Sequence, residues 1–175
     1  MKKVLFLCTG NYYRSRFAEY LFNHWAIQSR LKWRAESRGL AVDQPNNNLG
    51  AIAPQTIRGL EERGIKIRDY IRHPLQVSEV DFKAANKVIA VEQAVHRSMM
   101  MSRYPGWVDS IEYWNVQDLD QNSSSSFDLD PVNPINSEES PLDQLEQKIR
   151  PLFAALEANQ RLELSIETQS LLLID

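Results

Sequence analysis

Apolar positions along this chain follow two alternating patterns: short segments with strand character, and longer stretches in which apolar residues recur at helical spacing. The short segments predict strands at residues 4–7, 33–37, 86–91 and 111–116. The helical spacings predict helices from Arg14 through Trp25, from Pro54 to Gly64, through residues 95–100, and from Pro141 through Leu156. Because strands alternate with helices, we predict an α/β fold with three layers, in which helices cover both faces of a four-stranded parallel sheet.

Two stretches near the carboxyl end depart from this alternation. Residues 119–140 are rich in Ser, Asp and Pro and include four consecutive serines, a composition typical of a mobile loop. Residues 160–175 are ambiguous, because 162–167 alternate like an exposed strand whereas the last residues are apolar without an evident partner. A chain of 175 residues is long enough for one full core and too short for two. We therefore predict a single domain over residues 1–175 that contains the loop.

The apolar segments and the cysteine content indicate the cellular location. No apolar run reaches the length needed to span a membrane, and the first one ends at Thr9-Gly10-Asn11, too early for a signal peptide. Cys8 is the one cysteine of the chain, which excludes an intramolecular disulfide and a cysteine-rich metal site. We expect a cytoplasmic protein without a membrane partner.

Charge is distributed unevenly, although the net charge is only −3. Residues 1–103 carry 17 Lys and Arg against 9 Asp and Glu, whereas residues 104–175 carry 3 against 14. The basic part contains Cys8 and would attract an anionic substrate, but ordinary solvated helix faces account equally well for most of these charges. The basic residues are dispersed and form no recognition motif, so we expect no nucleic-acid partner.

The segment between the first strand and the first helix carries the candidate chemistry; it reads Cys8-Thr9-Gly10-Asn11-Tyr12-Tyr13-Arg14-Ser15. A cysteine at a strand end, just ahead of a helix, is close to backbone N–H groups and to the positive end of the helix dipole, which favour the thiolate. The loop before Arg14 is long enough to curl its N–H groups around a phosphate-sized anion. Arg14 can grip two oxygens of that anion, and Ser15 can donate its hydroxyl to the sulfur.

This segment resembles the phosphate-binding loop of the low-molecular-weight protein tyrosine phosphatases and the related thioredoxin-coupled arsenate reductases. A buried, inert cysteine is the alternative reading, but the order of strand, Cys, Gly-Asn, Arg-Ser and helix favours a reactive one. The resemblance implies a cysteine-dependent phosphomonoester hydrolase, specifically a protein tyrosine phosphatase, in which Cys8 forms a thiophosphate intermediate and Arg14 holds the phosphoryl group. The implied substrate-binding residues are Thr9, Gly10, Asn11, Tyr12, Tyr13 and Ser15.

The resemblance also implies support for this loop. In the family, a Ser-Ala-Gly after the second strand braces the loop, and Ser37-Arg38-Gly39 stands at that place. We therefore expect Ser37 to hydrogen-bond Asn11, although a solvent-facing turn serine is an equal alternative. Many members have a histidine that supports the loop asparagine. In this chain Arg72 takes that position and His73 follows one residue later, so we expect His73 to be a surface residue.

A carboxylic acid is needed to protonate the leaving oxygen. Because functional loops follow the carboxyl ends of parallel strands, we predict Asp118, which follows the fourth strand. The family pattern is Trp-x-x-x-Asp-Pro, and residues 114–119 match it except that Leu119 replaces Pro. Asp120 is the alternative acid, and Asp128 and Asp130 are further candidates in the Ser-rich loop.

The expected partners follow from this chemistry. The substrate would be a phosphorylated protein carrying phosphotyrosine, or a small phosphomonoester, and the product inorganic phosphate. Tyr12 and Tyr13 would wall the entrance and stack on an aromatic substrate, or else pack against the core. We expect no cofactor and no metal, because Arg14 and the loop amides supply the positive field.

Two alternative functions follow from the same segment. A weakly active or non-catalytic phosphate-binding module is one of them, because the acid-loop pattern is altered. Arsenate reduction is the other, but it needs two further cysteines or an external thiol.

Overall fold

A four-stranded parallel sheet lies at the centre of the structure, a computed structural model that describes residues 1–67, 71–118 and 139–172. The strands are β1 (Lys2–Cys8), β2 (Trp33–Gly39), β3 (Lys87–Ala90) and β4 (Glu112–Tyr113). Their order across the sheet is β2-β1-β3-β4, and each neighbouring pair is parallel. The predicted parallel sheet is confirmed, with β3 and β4 shorter than the segments that predicted them.

The inner strand β1 is buried on both faces. Val4, Phe6 and Cys8 pack in one core cluster, and Leu5 and Leu7 pack in the other. Successive side chains of a strand point to opposite faces, so a strand covered on both sides requires a continuous apolar run. Burying each of these Leu or Phe side chains contributes about 1.5–3 kcal/mol, and this burial anchors the strand that ends at Cys8.

Helices cover both faces of the sheet, as predicted. They are α1 (Arg14–Gln28), α2 (Pro54–Glu61), α3 (Glu79–Ala84), α4 (Gln93–Arg103) and α5 (Pro141–Leu172), with a 3-10 turn at Pro105–Trp107. The helices α1, α2 and α5 pack in the cluster that contains Phe6, whereas α3 and α4 pack in the cluster that contains Leu5. The fold therefore has three layers.

The last helix, α5, resolves the ambiguity of the carboxyl-terminal stretch. It continues from Pro141 to Leu172, through Pro151, so the alternation at residues 162–167 does not form a strand. Leu162 and Ile166 are 62 % and 63 % exposed. Their alternation with polar residues therefore does not mark a strand with one buried face. The earlier part of the helix is held by buried apolar residues that include Leu145 and Ile149.

The strand β2 lies at one edge of the sheet, where its outward backbone groups need partners. The side chain of Asn23 on α1 provides them for Ala35. Its Nδ2 donates to the Ala35 carbonyl at 2.9 Å, and its Oδ1 accepts from the Ala35 N–H at 2.8 Å. One carboxamide therefore occupies both edge groups of that residue.

The carboxyl ends of β1, β3 and β4 lie at the same edge of the sheet, where open α/β sheets bind their ligands. The segments that leave this edge contain Cys8, Glu92 and Asp118. The Ser-rich segment predicted to be a mobile loop follows Asp118, and apart from residues 139–140 it lies outside the described residues.

Within residues 1–67, 71–118 and 139–172, every helix is too short or too polar to cross a membrane.

Candidate active site

The predicted nucleophile, Cys8, is the last residue of β1 and is almost wholly buried. Its Sγ lies 2.9 Å from the Oγ of Ser15, in the first turn of α1. The Ser15 Oγ also accepts a hydrogen bond from Nδ2 of Asn11 at 3.0 Å. The Ser15 hydroxyl can therefore donate its proton to the sulfur while its oxygen accepts from Asn11.

Asn11 holds the loop between β1 and α1 in shape. Its backbone is in the left-handed region, with φ of 49°, a conformation that Asn tolerates better than most residues. Its buried Nδ2 also donates to Ser37 Oγ at 2.8 Å, and its Oδ1 accepts from the Leu75 N–H at 3.0 Å. The predicted Ser37–Asn11 hydrogen bond is confirmed.

Gly39, at the end of β2, lets the strand approach this loop closely. A Cβ at this position would lie 2.8 Å from the carbonyl oxygen of Thr9 and 2.9 Å from the backbone nitrogen of Asn11. Both neighbours are backbone atoms of the loop, so any larger residue would displace the loop itself.

Arg72 braces the loop asparagine. Its Nη1 donates to Asn11 Oδ1 at 2.8 Å, and its Nη2 donates to Glu19 Oε2 at 2.8 Å and to Ser37 Oγ at 3.0 Å. Burial lowers the pKa of Arg72, and the Glu19 carboxylate opposes that shift. Because it donates to Asn11, Arg72 takes the supporting place that the resemblance gives to a histidine. His73 is exposed, as expected, and provides its backbone carbonyl to Arg72.

Arg14 lies beside Cys8 and is only 2 % exposed. Its Nη1 donates to Glu92 Oε2 at 2.5 Å and to the Val116 carbonyl at 2.8 Å, and its Nη2 donates to Asp118 Oδ2 at 2.7 Å. The predicted acid, Asp118, is therefore brought to the loop. The alternatives Asp120, Asp128 and Asp130 lie outside the described residues.

Sequence reasoning missed two residues, Glu92 and His96. Glu92 lies two residues after the buried end of β3, so the rule that functional groups follow strand ends would have selected it. His96 lies one turn later on α4, is wholly buried and reaches Thr9. No local pattern marks His96, because a single histidine within a helix is most simply read as a core residue.

A cavity of about 320 Å³ opens above the loop. Its lining includes Cys8, Thr9, Gly10, Tyr12, Tyr13, Arg14, Asn46, Asn48, Gln55 and Asp118. Tyr12 also donates its hydroxyl to the Leu49 carbonyl at 2.6 Å. Tyr13 packs partly against the core, and burial, with the nearby Asp118 charge, raises its pKa to about 12. Both tyrosines therefore line the cavity, and Tyr13 also packs against the core, whereas stacking on an aromatic substrate stays a prediction.

Residues 3–162 match the family model described as low molecular weight phosphotyrosine protein phosphatase. The chain belongs to this family. It is therefore a phosphatase with a cysteine nucleophile at the start of its phosphate loop, and it is a hydrolase.

Individual relatives agree with the family assignment. The chain is 27 % identical over 159 residues to the protein-arginine-phosphatase of Bacillus subtilis, covering 90 % of this chain and 99 % of that protein. Among solved structures, YfkJ of Bacillus subtilis is 26 % identical with a TM-score of 0.63, covering 91 % of this chain and 96 % of that one. The low molecular weight protein tyrosine phosphatase of Streptococcus pyogenes is 27 % identical with a TM-score of 0.55, covering 67 % of this chain and 77 % of that one.

Proposed function

We propose that the protein hydrolyses phosphotyrosine in proteins, with Cys8 as nucleophile, Arg14 as the phosphoryl-binding residue and Asp118 as general acid and base. One observation carries the proposal: the Cys8 sulfur, the Arg14 guanidinium and the Asp118 carboxyl line the same small cavity. The Cys8 thiolate attacks phosphorus, the bond to the leaving oxygen breaks, and Asp118 protonates that oxygen. Asp118 then takes a proton from water, which attacks the thiophosphate and releases inorganic phosphate.

The hydrogen bonds around Cys8 support its role. A thiolate sulfur can only accept, so once Cys8 is ionised Ser15 donates its hydroxyl proton to the sulfur, while Asn11 Nδ2 donates to the Ser15 oxygen. The same hydroxyl stabilises the sulfur again when the thiophosphate breaks down and the thiolate leaves. The N-terminus of α1 adds positive potential at this place.

Arg14 offers the phosphoryl group a fork that is already fixed in direction. Glu92 and the Val116 carbonyl both hold its Nη1, so Nη2 points into the cavity. In the structure Asp118 accepts from that Nη2. A doubly charged phosphoryl group binds this fork more strongly than a single carboxylate does, and would release Asp118 toward the leaving oxygen.

Two phosphorylated residues are candidates for the substrate, and we propose phosphotyrosine over phosphoarginine. The ring of Tyr12 at the cavity wall supports phosphotyrosine, because aromatic rings stack favourably. Phosphoarginine is the second candidate, since the relative at 27 % identity is a protein-arginine-phosphatase. Peptides that carry either group at the same position, assayed for phosphate release at equal concentration, separate the two. Faster release from the phosphoarginine peptide would overturn the phosphotyrosine assignment.

The general activity is tested with p-nitrophenyl phosphate. We expect hydrolysis by the wild type without added metal or cofactor, and none by Cys8→Ser. Phosphate binding by both proteins without hydrolysis by the wild type would instead favour a binding module. Arsenate reduction with internal cysteines is ruled out, because Cys8 is the one cysteine of the chain.

We further propose a cytoplasmic location and a single domain over residues 1–175. A free thiol at a reactive position functions in a reducing compartment, which supports the location. The layers described above share one sheet, which supports the single domain.

A further inference from the structure

The two ring nitrogens of His96 contact two different parts of the phosphate site. Nδ1 accepts a hydrogen bond from the backbone N–H of Glu92 at 3.1 Å. Nε2 lies 3.3 Å from Oγ1 of Thr9. Because Nδ1 accepts, the ring proton is on Nε2, which therefore donates to the Thr9 hydroxyl.

Both partners of His96 belong to the machinery around Cys8. Thr9 follows Cys8 in the phosphate loop, and the Glu92 carboxylate holds the buried Arg14. The wholly buried imidazole thus joins the segments that leave the carboxyl ends of β1 and β3.

We propose that His96 is a positioning residue, which fixes Thr9 in the phosphate loop and, through the backbone of Glu92, the carboxylate that orients Arg14. It touches no reacting atom. Its kinetic consequence rests on the proposed phosphatase chemistry, whereas its effect on anion binding does not.

The neutral state of His96 suits this role. Burial, with the nearby Arg14, lowers the pKa of His96 to about 3. Protonation would place a second cation beside Arg14 and would remove the lone pair with which Nδ1 accepts the Glu92 N–H. The imidazole is therefore neutral where the thiolate chemistry operates.

Two substitutions separate the two hydrogen bonds of His96. In His96→Asn, the carboxamide oxygen can replace Nδ1 toward Glu92 but is too short to reach Thr9. In His96→Gln, the longer amide can donate to Thr9 in place of Nε2. His24→Asn is the matched control, since His24 lies on α1 and contacts Gln28.

Positioning predicts a parallel loss of turnover and transition-state-like anion binding. We expect both His96 variants to lose about 10- to 100-fold in kcat/KM for p-nitrophenyl phosphate, the size of effect that a small misplacement of catalytic groups causes. Orthovanadate affinity, measured by calorimetry, should fall with it, while the pH profile of kcat keeps its shape. Thr9→Val should weaken vanadate binding when it is introduced into the wild type. Introduced into His96→Asn, it should cause little further loss of vanadate affinity.

Wild-type vanadate affinity in both His96 variants would overturn the proposal. A shifted acid limb in the pH profile of kcat would also overturn it. So would additive losses of vanadate affinity from Thr9→Val and His96→Asn. Vanadate affinity tests the role of His96 even if the wild type hydrolyses nothing. Failure of the proposed function can therefore be distinguished from failure of this proposal. If both His96 variants fail to fold by circular dichroism, Thr9→Val decides alone, and unchanged vanadate affinity in it overturns the proposal.

Discussion

At the scale of single residues, two carboxylates of unequal exposure balance the charge of Arg14. The Glu92 side chain is 13 % exposed, whereas that of Asp118 is 55 % exposed. A buried charge pair is costly to break, because the charge left behind lacks a partner. A partly exposed carboxylate can instead exchange its partner for water. Glu92 is therefore suited to stay with Arg14 throughout a catalytic cycle, and Asp118 is suited to move.

Replacing Asp118 by Asn should lower kcat by about 10²- to 10⁴-fold for phenyl phosphate, because this leaving group needs a proton. The loss should be smaller for p-nitrophenyl phosphate, whose leaving group is stable as an anion. The inhibition constant of phosphate should also fall, since Arg14 loses a competing carboxylate. Asp109→Asn is the control, an exposed acid that pairs with Arg97. If Asp120→Asn shows the dependence on the leaving group instead, Asp120 is the acid.

Arg72→Leu should weaken the phosphate loop and the fold together. Asn11 Oδ1 loses one donor and Glu19 loses a cation, which costs about 1–3 kcal/mol of unfolding free energy. Alkylation of Cys8 by iodoacetate near neutral pH should slow, because the loop no longer directs Ser15 to the sulfur. Arg72→His should restore part of the rate at the same pH, because an imidazole N–H can donate to Asn11 Oδ1 in place of Nη1. A wild-type alkylation rate in Arg72→Leu would contradict this role, and Arg97→Leu serves as the control.

The low pKa of His96, about 3, links stability to pH. An unfolded histidine titrates near pH 6.5, so between about pH 6.5 and 3 the unfolded chain binds more protons at this residue. The free energy of unfolding should therefore fall on acidification by about 1.4 kcal/mol per pH unit from His96 alone. Urea titrations at several pH values give the free energy of unfolding of the wild type and of His96→Asn. We expect this free energy to fall more steeply with decreasing pH in the wild type. Parallel curves would show that His96 is not kept neutral by the fold.

At the scale of elements, sequence patterns predict the site residues that are close together in the chain or that follow a strand end. Cys8, Arg14 and Ser15 lie within eight consecutive residues, so the spacing alone revealed them, and Asp118 needed only the strand-end rule. His96 and Glu92 lie 87 and 78 residues from the loop residues they contact, and no local period encodes such contacts. The pattern at residues 162–167 is ambiguous for a related reason, because Leu162 and Ile166 are exposed and no core contact sets their spacing.

The part of α5 that follows Arg161 should contribute little to stability or activity. Ending the chain after Arg161 removes an exposed ion pair between Lys2 and Glu163, worth at most about 1 kcal/mol. Glu163, the removed partner of this pair, contacts Lys2 at the start of β1, at the end opposite Cys8, so kcat/KM should not change. Leu145→Ala, at a wholly buried position of the same helix, should cost about 2–5 kcal/mol. Equal destabilisation by the two changes in thermal unfolding would contradict this division of α5.

At the scale of the whole molecule, the phosphate loop is supported from both neighbouring strands of β1. On the side of β2, Ser37 and Arg72 hold Asn11; on the side of β3, Glu92 and His96 hold Arg14 and Thr9. The central position of β1 is what makes support from two sides available. Preorganised donors of this kind need little rearrangement when charge arrives.

Because the site is formed in advance, phosphate should stabilise the whole fold. A ligand at one hundred times its dissociation constant adds about 2.7 kcal/mol to the free energy of unfolding. We expect the thermal midpoint of the wild type and of Cys8→Ser to rise with phosphate, because Arg14 remains in both. The midpoint of Arg14→Met should stay constant. A comparable rise in Arg14→Met would place the bound phosphate elsewhere.

The carboxamide of Asn23 has a consequence for the behaviour of the protein at high concentration. It occupies the outward N–H and carbonyl of Ala35 on the edge strand β2. An unoccupied edge offers a template on which a second copy can add a strand, the first step of aggregation. A single side chain of α1 thus blocks sheet extension between molecules at this residue, which favours solubility without any cost to the phosphate loop at the far end of the strand.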